Sequence, residues 1–331
     1  MKGREPTVRE IVAGVLAGDR VWLARAITLI ESNARPHRER AQDVLCRILP
    51  KTGNSIRLGI TGTPGSGKST MINALGRFLC RQGLKTAVLA IDPSSSVTGG
   101  SILGDRTRMA ELGREKNCFI RPSPTGGKLG GVGRKTRETI LLCEAAGYEA
   151  VLVETVGVGQ SEFLIGSMVD IVLLLLLTGA GDELQSIKRG IMEIADILLI
   201  NKADGDNRQK AERTAKEMER ALLYFSGGRK DRVAEVLSCS ALEERGIRTL
   251  WRSVGRLRER RIRAGTFEAN RQNQLIKWLE DDIVERLKSD FFENERIAHS
   301  LSRIRSDILD GKTTVSAAAE SLIELYGNHD K

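Results

Sequence analysis

The stretch "GITGTPGSGKST", residues 59–70, decides the fold of this chain. It contains G-x-x-x-x-G-K-S, and it lies between a strand-like run, "IRLGIT", and a helical run, "STMINALGRFL". A glycine-rich turn between a strand and a helix lets backbone N–H groups surround a phosphate, and the helix N-terminus adds positive potential. The stretch therefore predicts a phosphate-binding P-loop, with Lys68 reaching the terminal phosphates and the Ser69 hydroxyl on Mg²⁺. The predicted nucleotide-binding residues of the loop are Gly62, Thr63, Pro64, Gly65, Ser66, Gly67, Lys68, Ser69 and Thr70.

Short apolar runs continue on both sides of this loop and alternate with helical periodicities. The runs are "IRLGIT", "TAVLAID", "CFIRP", "EAVLVE", "DIVLLLLLT", "DILLINKAD" and "VAEVLSCSA". Alternation of this kind predicts an α/β fold, a mostly parallel sheet with helices on both faces. The longest run, "IVLLLLL" at 171–177, is far too short for a membrane helix. We expect it to be the central strand, buried on both faces.

Helical patterns flank the predicted sheet at both ends of the chain. Residues 1–54 are predicted to be an N-terminal helical extension, which opens with Thr7 and Glu10 at capping-box spacing. Residues 55–265 are predicted to be the P-loop domain, and residues 266–331 a C-terminal helical arm. An apolar stripe on the arm consists of Leu275, Ile276, Leu279, Ile283 and Leu287. Such a stripe must be covered, either by the same subunit or by a second copy.

Composition narrows the classes of partner. The 331 residues carry a net charge of +9, which permits anionic partners. Aromatic residues make up only 4% and do not interleave with a basic patch, so no nucleic-acid partner is predicted. Five scattered cysteines without C-x-x-C spacing indicate buried, reduced thiols. The first residues lack the apolar core of a signal peptide, so a cytoplasmic protein with no membrane partner is expected.

The stretch "LLINKAD" predicts which base is bound. Asn201, Lys202 and Asp204 have N-K-x-D spacing directly after a strand. Asp204 can accept hydrogen bonds from the ring N–H and the exocyclic amine of guanine, a pair of donors that adenine does not present. In a later stretch, "SCSA", Ser240 and Ala241 are placed to back the base ring, together with Leu242, which follows the stretch. GTP is therefore predicted rather than ATP.

The stretch "AVLVETVGVGQSE", residues 150–162, follows the P-loop unit and ends a strand with an acid. Glu154 is expected to hold Mg²⁺ through water. The N–H of Gly157 is expected to face the γ-phosphate, in a loop that moves when that phosphate leaves. Gln160 either orients the attacking water or is simply solvated.

Three further residues are candidates with alternatives left open. Asp92, at the end of "TAVLAID", either coordinates Mg²⁺ or caps a turn. Asp105 either binds the metal or caps a helix. Lys188, in the loop after the long apolar strand, is expected to approach the γ-phosphate when a partner closes that loop. The glycine-rich stretch at 124–136 is predicted to be too flexible to be ordered by itself, so it is either a plain connector or a nucleotide-dependent surface.

Several stretches together resemble one known family. They are "GTPGSGKST", "DPSS", "GDRTRM", "CEAAGY", "VETVGVGQSE" and "NKAD". They are similar to the corresponding segments of the MeaB/ArgK GTPases, a family that includes the methylmalonic aciduria type A protein. The resemblance covers roughly residues 55–245, and the extension and arm share the family's layout. The resemblance places the chain in the SIMIBI class of GTPases. In this class the motif E-x-x-G-x-G-Q replaces D-x-x-G, which accounts for Glu154.

The resemblance implies a function and partners. It implies a homodimeric, Mg²⁺-dependent GTPase that is a chaperone of adenosylcobalamin-dependent methylmalonyl-CoA mutase. The GTPase would gate delivery of the B12 cofactor and protect or reactivate the mutase, with cobalamin adenosyltransferase as a further partner. No D-x-H-x-x-G signature is present, so the chain is expected to have no cobalamin site of its own.

Two other functions stay open from the residues. One is a GTP-dependent metal-insertion factor, which the three isolated histidines, His37, His299 and His329, disfavour because no Cys/His cluster accompanies them. The other is an ATP-dependent kinase of an amino-acid transport system, for which no phosphoacceptor base is visible.

Overall fold

The computed structural model describes residues 5–32, 34–92, 109–124, 129–155, 161–178, 189–225 and 234–327. Seven strands in these ranges form one sheet, and each corresponds to one of the seven predicted runs. They are β1 (Ile56–Gly62), β2 (Thr86–Asp92), β3 (Cys118–Pro124), β4 (Ala150–Thr155), β5 (Ile171–Leu176), β6 (Ile197–Ile200) and β7 (Glu235–Ser238). All strand pairs are parallel. The predicted α/β fold with a parallel sheet is confirmed.

The strand order is β3-β2-β4-β1-β5-β6-β7, so the P-loop strand β1 lies at the centre. The "IVLLLLL" strand is β5, which lies next to β1 and not at the centre, so the prediction that it is the central strand is wrong. Every residue of β5 is nevertheless buried, since helices cover both faces of an interior parallel strand. The order places the carboxyl ends of β4, β1 and β5 side by side at one edge.

Twelve α-helices occur in the described ranges. They are α1 (Val8–Leu16), α2 (Arg20–Glu31), α3 (Arg35–Ile48), α4 (Lys68–Arg81), α5 (Leu129–Ala145), α6 (Ser161–Gly166), α7 (Arg189–Ile194), α8 (Arg208–Phe225), α9 (Ile247–Arg263), α10 (Thr266–Glu293), α11 (Glu295–Leu309) and α12 (Val315–Gly327). The predicted capping box is present: Thr7 caps α1, and the Glu10 side chain accepts a hydrogen bond from the Thr7 N–H at 2.7 Å.

The N-terminal helices share a hydrophobic core with the sheet. Val15, Leu23 and Ile27 of α1 and α2 belong to the same buried cluster as Val151 and Val153 of β4. On the opposite face, α4 and α9 pack over β1 and β5. α8 covers the β6–β7 end of the first face, because Leu174 in its cluster lies on the same side of β5 as Val172 in the cluster of the N-terminal helices. Each face of the sheet is thus closed by helices from different parts of the chain.

Residues 129–136 of the glycine-rich stretch 124–136 belong to α5, which begins at Leu129. These residues are helical and are therefore not a plain connector. A side chain at Gly133 would come within 3.0 Å of Leu164, so the absence of a Cβ lets α5 pack closely against α6. Tertiary packing overrides the low helix propensity of the glycines here.

The chain divides into two compact units, Met1–Gln274 and Leu275–Lys331. In the second unit the five apolar stripe residues of the predicted arm are each between 47% and 59% exposed. The Phe291 ring contacts the rings of Phe292 and Tyr326, with centroids 5.2 Å apart in both pairs. Asn294 caps α11 by accepting the N–H of Arg296 at 3.0 Å.

The five cysteines differ in how far they are buried. Cys80, Cys118, Cys143 and Cys239 are free and buried, whereas Cys46 is exposed, so the expectation of buried thiols fails there. Burial raises the pKa of the Cys118 and Cys143 thiols, which stay protonated.

None of the helices in the described ranges combines the length and apolarity needed to cross a bilayer.

A buried ionic network lies at the amino edge of the sheet, opposite the P-loop. Glu144, at the end of α5, accepts hydrogen bonds from Arg57 Nε at 2.8 Å and Ser55 Oγ at 2.6 Å. Asp170, just before β5, binds Arg271 Nε and Nη2 at 2.8 Å each. Arg271 also donates to the carbonyls of Gly53 and Ser55. The network therefore joins α5, α10 and the first residues of β1 and β5.

We expect Glu144→Gln to lower the free energy of unfolding by about 3 kcal/mol, because Arg57 would keep a buried charge without a counter-ion. Burial alone would raise the pKa of the Glu144 carboxyl, but Arg57, Ser55 and Gly53 together hold this pKa below its ordinary value. The stabilisation is therefore full above the ordinary glutamate pKa of about 4.3 and is lost as the pH falls through the lower folded value. Urea unfolding should show the largest difference from wild type at about pH 7, narrowing below about pH 4.

Glu149→Gln is the control, because this exposed glutamate at the same edge accepts the Lys85 N–H at the longer distance of 3.2 Å. Its stability should change by less than about 0.5 kcal/mol. Equal losses in the two variants would contradict the role given to the network.

Candidate nucleotide-binding site

The P-loop is built where β1 ends and α4 begins. Gly62 has a φ of 148°, and a Cβ there would lie 2.4 Å from the Leu175 carbonyl oxygen of β5. Gly67, with a φ of 88°, directly precedes α4, and a Cβ there would lie 2.6 Å from Asn201 Nδ2. Both positions need glycine for these approaches. The loop thus turns tightly and directs the N-terminus of α4 toward the carboxyl edge of the sheet.

Lys68 folds back over the loop. Its Nζ donates to the carbonyl oxygens of Gly62 at 2.8 Å and Thr63 at 3.2 Å. Two buried hydroxyl oxygens of the loop, Thr63 Oγ1 and Ser66 Oγ, have no hydrogen-bond partner among the described residues. A buried hydroxyl without a partner is costly, and a ligand with several acceptor oxygens would relieve that cost. The ammonium group and the polar loop suit a phosphate chain.

Ser69 and Glu154 meet beside the loop. Ser69 Oγ donates to Glu154 Oε1 at 3.1 Å. Glu154 of β4 lies opposite Ile60 of β1 in the strand register, and it is only 7% exposed. One residue further along, the Thr155 hydroxyl donates to the Thr61 hydroxyl at 3.0 Å. A buried carboxylate and a hydroxyl are oxygen ligands of the kind that Mg²⁺ prefers.

Asn201 joins the P-loop to the loop after β7. Its Nδ2 donates to the Ser66 carbonyl at 2.8 Å, and its Oδ1 accepts from the Ala241 N–H at 3.2 Å and from Cys239 Sγ at 3.5 Å. Asn201 is 1% exposed, so these hydrogen bonds are shielded from solvent. Burial, with a smaller contribution from the charge of Asp204, raises the pKa of the Cys239 thiol to about 12, so the thiol remains a donor.

Asp204 is held by the same loop. Ser240 Oγ donates to Asp204 Oδ2 at 2.8 Å and accepts the Glu243 N–H at 3.1 Å. The Ala203 N–H donates to the Cys239 carbonyl at 2.9 Å. Lys202 is exposed and has a φ of 58°, and Leu242 is 78% exposed. The ends of β6 and β7 thereby form one polar, partly open surface.

The predicted residues fall into three groups. Lys68, Ser69 and Glu154 lie together at the ends of β1 and β4. Asn201, Asp204, Ser240 and Ala241 lie together at the ends of β6 and β7. Asp92 ends β2, but its side chain is outside the described part of the structure, and Asp105, Gly157, Gln160 and Lys188 also lie outside the described residues.

Sequence reasoning missed three residues that organise the base-side loop, which is the loop between β7 and α9 (residues 239–246). Cys239 donates to Asn201, Arg245 donates to the Ala203 carbonyl, and Glu244 bonds to the P-loop helix α4. The available signal for the first is its position just before Ser240. For Arg245 and Glu244 the sequence carries no signal, because their partners are 42 and 163 positions away.

A parallel sheet with a P-loop on its central strand, and an N-K-x-D segment two strands away, defines a P-loop GTPase. Comparison with family models identifies which one: the model described as "Methylmalonyl Co-A mutase-associated GTPase MeaB" matches residues 23–296. The chain belongs to this family, so the resemblance seen in the sequence is confirmed.

Similar proteins agree with this assignment. The chain is 43% identical to the GTPase ArgK of Escherichia coli, over 97% of this chain and 98% of that protein. It is 41% identical to the mouse "Methylmalonic aciduria type A homolog, mitochondrial", over 96% of this chain and 79% of that protein. A solved structure titled "Crystal structure of LAO/AO transport system kinase" superposes with a TM-score of 0.76 at 36% identity, covering 98% and 99% of the two chains. The protein is a GTPase, a hydrolase acting on GTP.

Proposed function

We propose that Mg²⁺ and GTP bind at the carboxyl edge of the sheet, with the phosphates in the loop Gly62–Thr70 and the base between the ends of β6 and β7. The observation that carries this proposal is the Asn201 side chain, which hydrogen-bonds both the P-loop and the loop after β7. A rigid amide between the two loops holds them at a fixed separation, as one ligand with a phosphate end and a base end requires. Asp204 receives the guanine donors, Lys202 covers the ring, and Ser240, Ala241 and Leu242 back it.

Ser69 and Glu154 are the proposed Mg²⁺ residues, since their oxygens already lie 3.1 Å apart. The bound ion would neutralise charge on the phosphates. Asp92 and Asp105 complete the proposed metal set. Among the described residues no group of three His, Cys, Asp or Glu side chains could hold a metal ion.

Hydrolysis is proposed to depend on Lys68, Glu154, Gly157, Gln160 and Lys188. Lys68 exchanges its bonds to the Gly62 and Thr63 carbonyls for the phosphates and places its ammonium charge where negative charge develops. Glu154 fixes the Ser69 hydroxyl from the neighbouring strand. Gly157 donates its N–H to the γ-phosphate, Gln160 orients the water, and Lys188 adds positive charge when a partner closes its loop.

The proposed client is adenosylcobalamin-dependent methylmalonyl-CoA mutase. In this proposal the GTPase gates delivery of the B12 cofactor to the mutase, protects or reactivates it, and meets cobalamin adenosyltransferase in the same process in the cytoplasm. The family description and the name of the mouse relative support this assignment. The exposed stripe on α10 supports a homodimer, because five half-exposed aliphatic side chains on one helix are a face that a second copy can cover.

The test combines association with hydrolysis. Purified GTPase and mutase are mixed with GDP, with GTP or with a non-hydrolysable analogue, and size exclusion with light scattering gives the masses. We expect a dimer of the GTPase alone, a complex with the mutase, and a faster GTP hydrolysis in that complex. No complex and no rate increase with any of the three nucleotides would contradict the mutase as client, and a monomeric mass would contradict the homodimer.

A further inference from the structure

The loop between β7 and α9, residues 239–246, contains an unusual backbone conformation. Glu244 has a φ of 51°, and among the described non-glycine residues only it and Lys202 have positive φ. Left-handed backbone is unfavourable for a residue with a Cβ, and it persists where surrounding contacts impose it. Both residues lie on the proposed base side of the site. The contacts that impose the conformation at Glu244 therefore bear on nucleotide binding.

Two arginines of the P-loop helix hold the Glu244 carboxylate. Arg81 Nη1 donates to Oε2 at 2.9 Å, and Arg77 Nη1, which also hydrogen-bonds Glu111, lies 3.2 Å from Oε1. Arg77 and Arg81 are four positions apart and share one side of α4. Because α4 begins at Lys68, the carboxylate joins the base-side loop to the element that carries the phosphate site.

The loop passes this restraint to Asp204. The backbones of Ser240 and Arg245 exchange two hydrogen bonds of 3.0 Å, which fixes Ser240 relative to Glu244. Ser240 Oγ then binds Asp204 Oδ2, and Arg245 binds the Ala203 carbonyl next to Asp204. A shift of Glu244 would thus move the two groups that hold the proposed guanine acceptor.

We infer that Glu244 is a positioning residue for guanine recognition, which acts through Ser240 and Asp204 and is held by Arg77 and Arg81. The inference rests on the proposed nucleotide site. It differs from the bridge made by Asn201, because Asn201 fixes the loop from inside the sheet edge and Glu244 fixes it from the surface of α4. The two restraints therefore hold the loop at two separate points.

The alternative is a solvated ion pair without effect on binding. The side chains of Arg77, Glu244 and Arg81 are 25%, 36% and 50% exposed, and exposed pairs contribute little on average. What distinguishes this pair is that two arginines of the P-loop helix share one carboxylate, and that the loop carrying it also holds Asp204 through Ser240.

The test measures release of fluorescent GDP from Glu244→Gln, Glu244→Gly, Arg81→Gln and the double variant Glu244→Gln with Arg81→Gln. We expect GDP to leave about fivefold faster from the two Glu244 variants, and by a smaller factor from Arg81→Gln because Arg77 still pairs with the carboxylate. The double variant should release GDP at the rate of Glu244→Gln, since that change alone already removes both ion pairs. Glu244→Gly accepts the left-handed backbone without strain but lacks the carboxylate, so it should behave like Glu244→Gln. The rate of GTP hydrolysis at saturation should stay within about twofold of wild type, since the phosphate side is unchanged.

Release of IDP provides a second readout. Its base lacks the exocyclic amine and offers Asp204 one donor fewer, so the acceleration of release should be smaller for IDP than for GDP. Asp43→Asn is the matched control, because Asp43 pairs with Arg47 on α3 at 2.7 Å and is 46% exposed. Its GDP release should equal that of wild type.

The outcomes separate the inference from the proposed site. Wild-type protein that binds ADP as tightly as GDP would overturn the proposed base site itself. If wild type prefers GDP and the Glu244 and Arg81 variants release it at the rate of Asp43→Asn, the positioning role is wrong. Equal acceleration for GDP and IDP would also contradict it. Thermal unfolding checks that the Glu244 variants remain folded, and Arg81→Gln repeats the test from the other side of the ion pair.

Discussion

Lys68→Ala lowers kcat/KM for GTP by about a thousandfold, the largest loss that we expect from a single change in this protein. Lys68 Nζ lies at the P-loop, within 2.8 Å of the Gly62 carbonyl oxygen. Without the ammonium group, no cation at this position stabilises the negative charge that develops on the phosphates. The nearest groups are then the carbonyl oxygens of the loop, which repel that charge. Steady-state GTP hydrolysis, with GDP affinity measured in parallel, checks the prediction.

Lys85→Ala is the control for this variant. Lys85 directly precedes β2 and therefore lies at the amino edge of the sheet, away from the P-loop. The control removes the same charge and the same side chain, so a non-specific effect of net charge would appear in both variants. A Lys68→Ala protein that hydrolyses GTP within about tenfold of Lys85→Ala would contradict the proposed role of Lys68.

Asp204→Asn changes the base that the protein prefers. A carboxylate offers two acceptors and matches the ring N–H and exocyclic amine of guanine, whereas an amide offers one acceptor and one donor. Xanthine has a carbonyl where guanine has the amine, so it matches the amide. We expect GTP to bind about a hundredfold more weakly and XTP to bind more tightly than to wild type. Competition of GTP, XTP and ATP against fluorescent GDP or XDP measures the change.

The amide oxygen that Asp204→Asn introduces can still accept the Ser240 hydroxyl, which bonds Asp204 Oδ2 in the wild type, so the loop should keep its position. Asp206→Asn is the control, since Asp206 is exposed in the short helix Gly205–Asn207. Loss of GTP affinity without any gain for XTP would mean that Asp204 does not face the base edge.

The fold was accessible from sequence where local chemistry determines structure. The seven apolar runs predict the seven strands because burial between two helical layers favours continuous apolar sequence. The capping box at Thr7 and Glu10 is likewise contained within four residues. Strand order is different, because it depends on which strands meet in space. For this reason the sequence predicts β5 at the centre of the sheet, although β1 lies there. The glycines before residue 136 likewise give no helical signal for the first turns of α5, which form through packing.

The candidate site divides in the same way. The motifs around Lys68 and Asn201 predict which residues bind the phosphates and which bind the base, because each motif is short and continuous in sequence. The sequence does not show that Asn201 contacts Ser66 and Ala241 at once, since those partners are 135 and 40 positions away. It also gives no sign that Arg77 and Arg81 meet Glu244, because charged residues on helix surfaces are common and their partners depend on packing.

Arg271 has a consequence for the order in which the chain can fold during synthesis. It follows Gly53, whose carbonyl it binds, by 218 positions. At about 5–20 residues per second, a ribosome needs roughly 10–40 s to make that interval. Glu144 reaches Arg57 after only 87 positions, so the first half of the buried network can close early. The carbonyls just before the P-loop strand wait for Arg271 over that whole interval. Asp170 precedes Arg271 by 101 positions, so the nascent chain carries this carboxylate without its arginine partner for roughly 5–20 s.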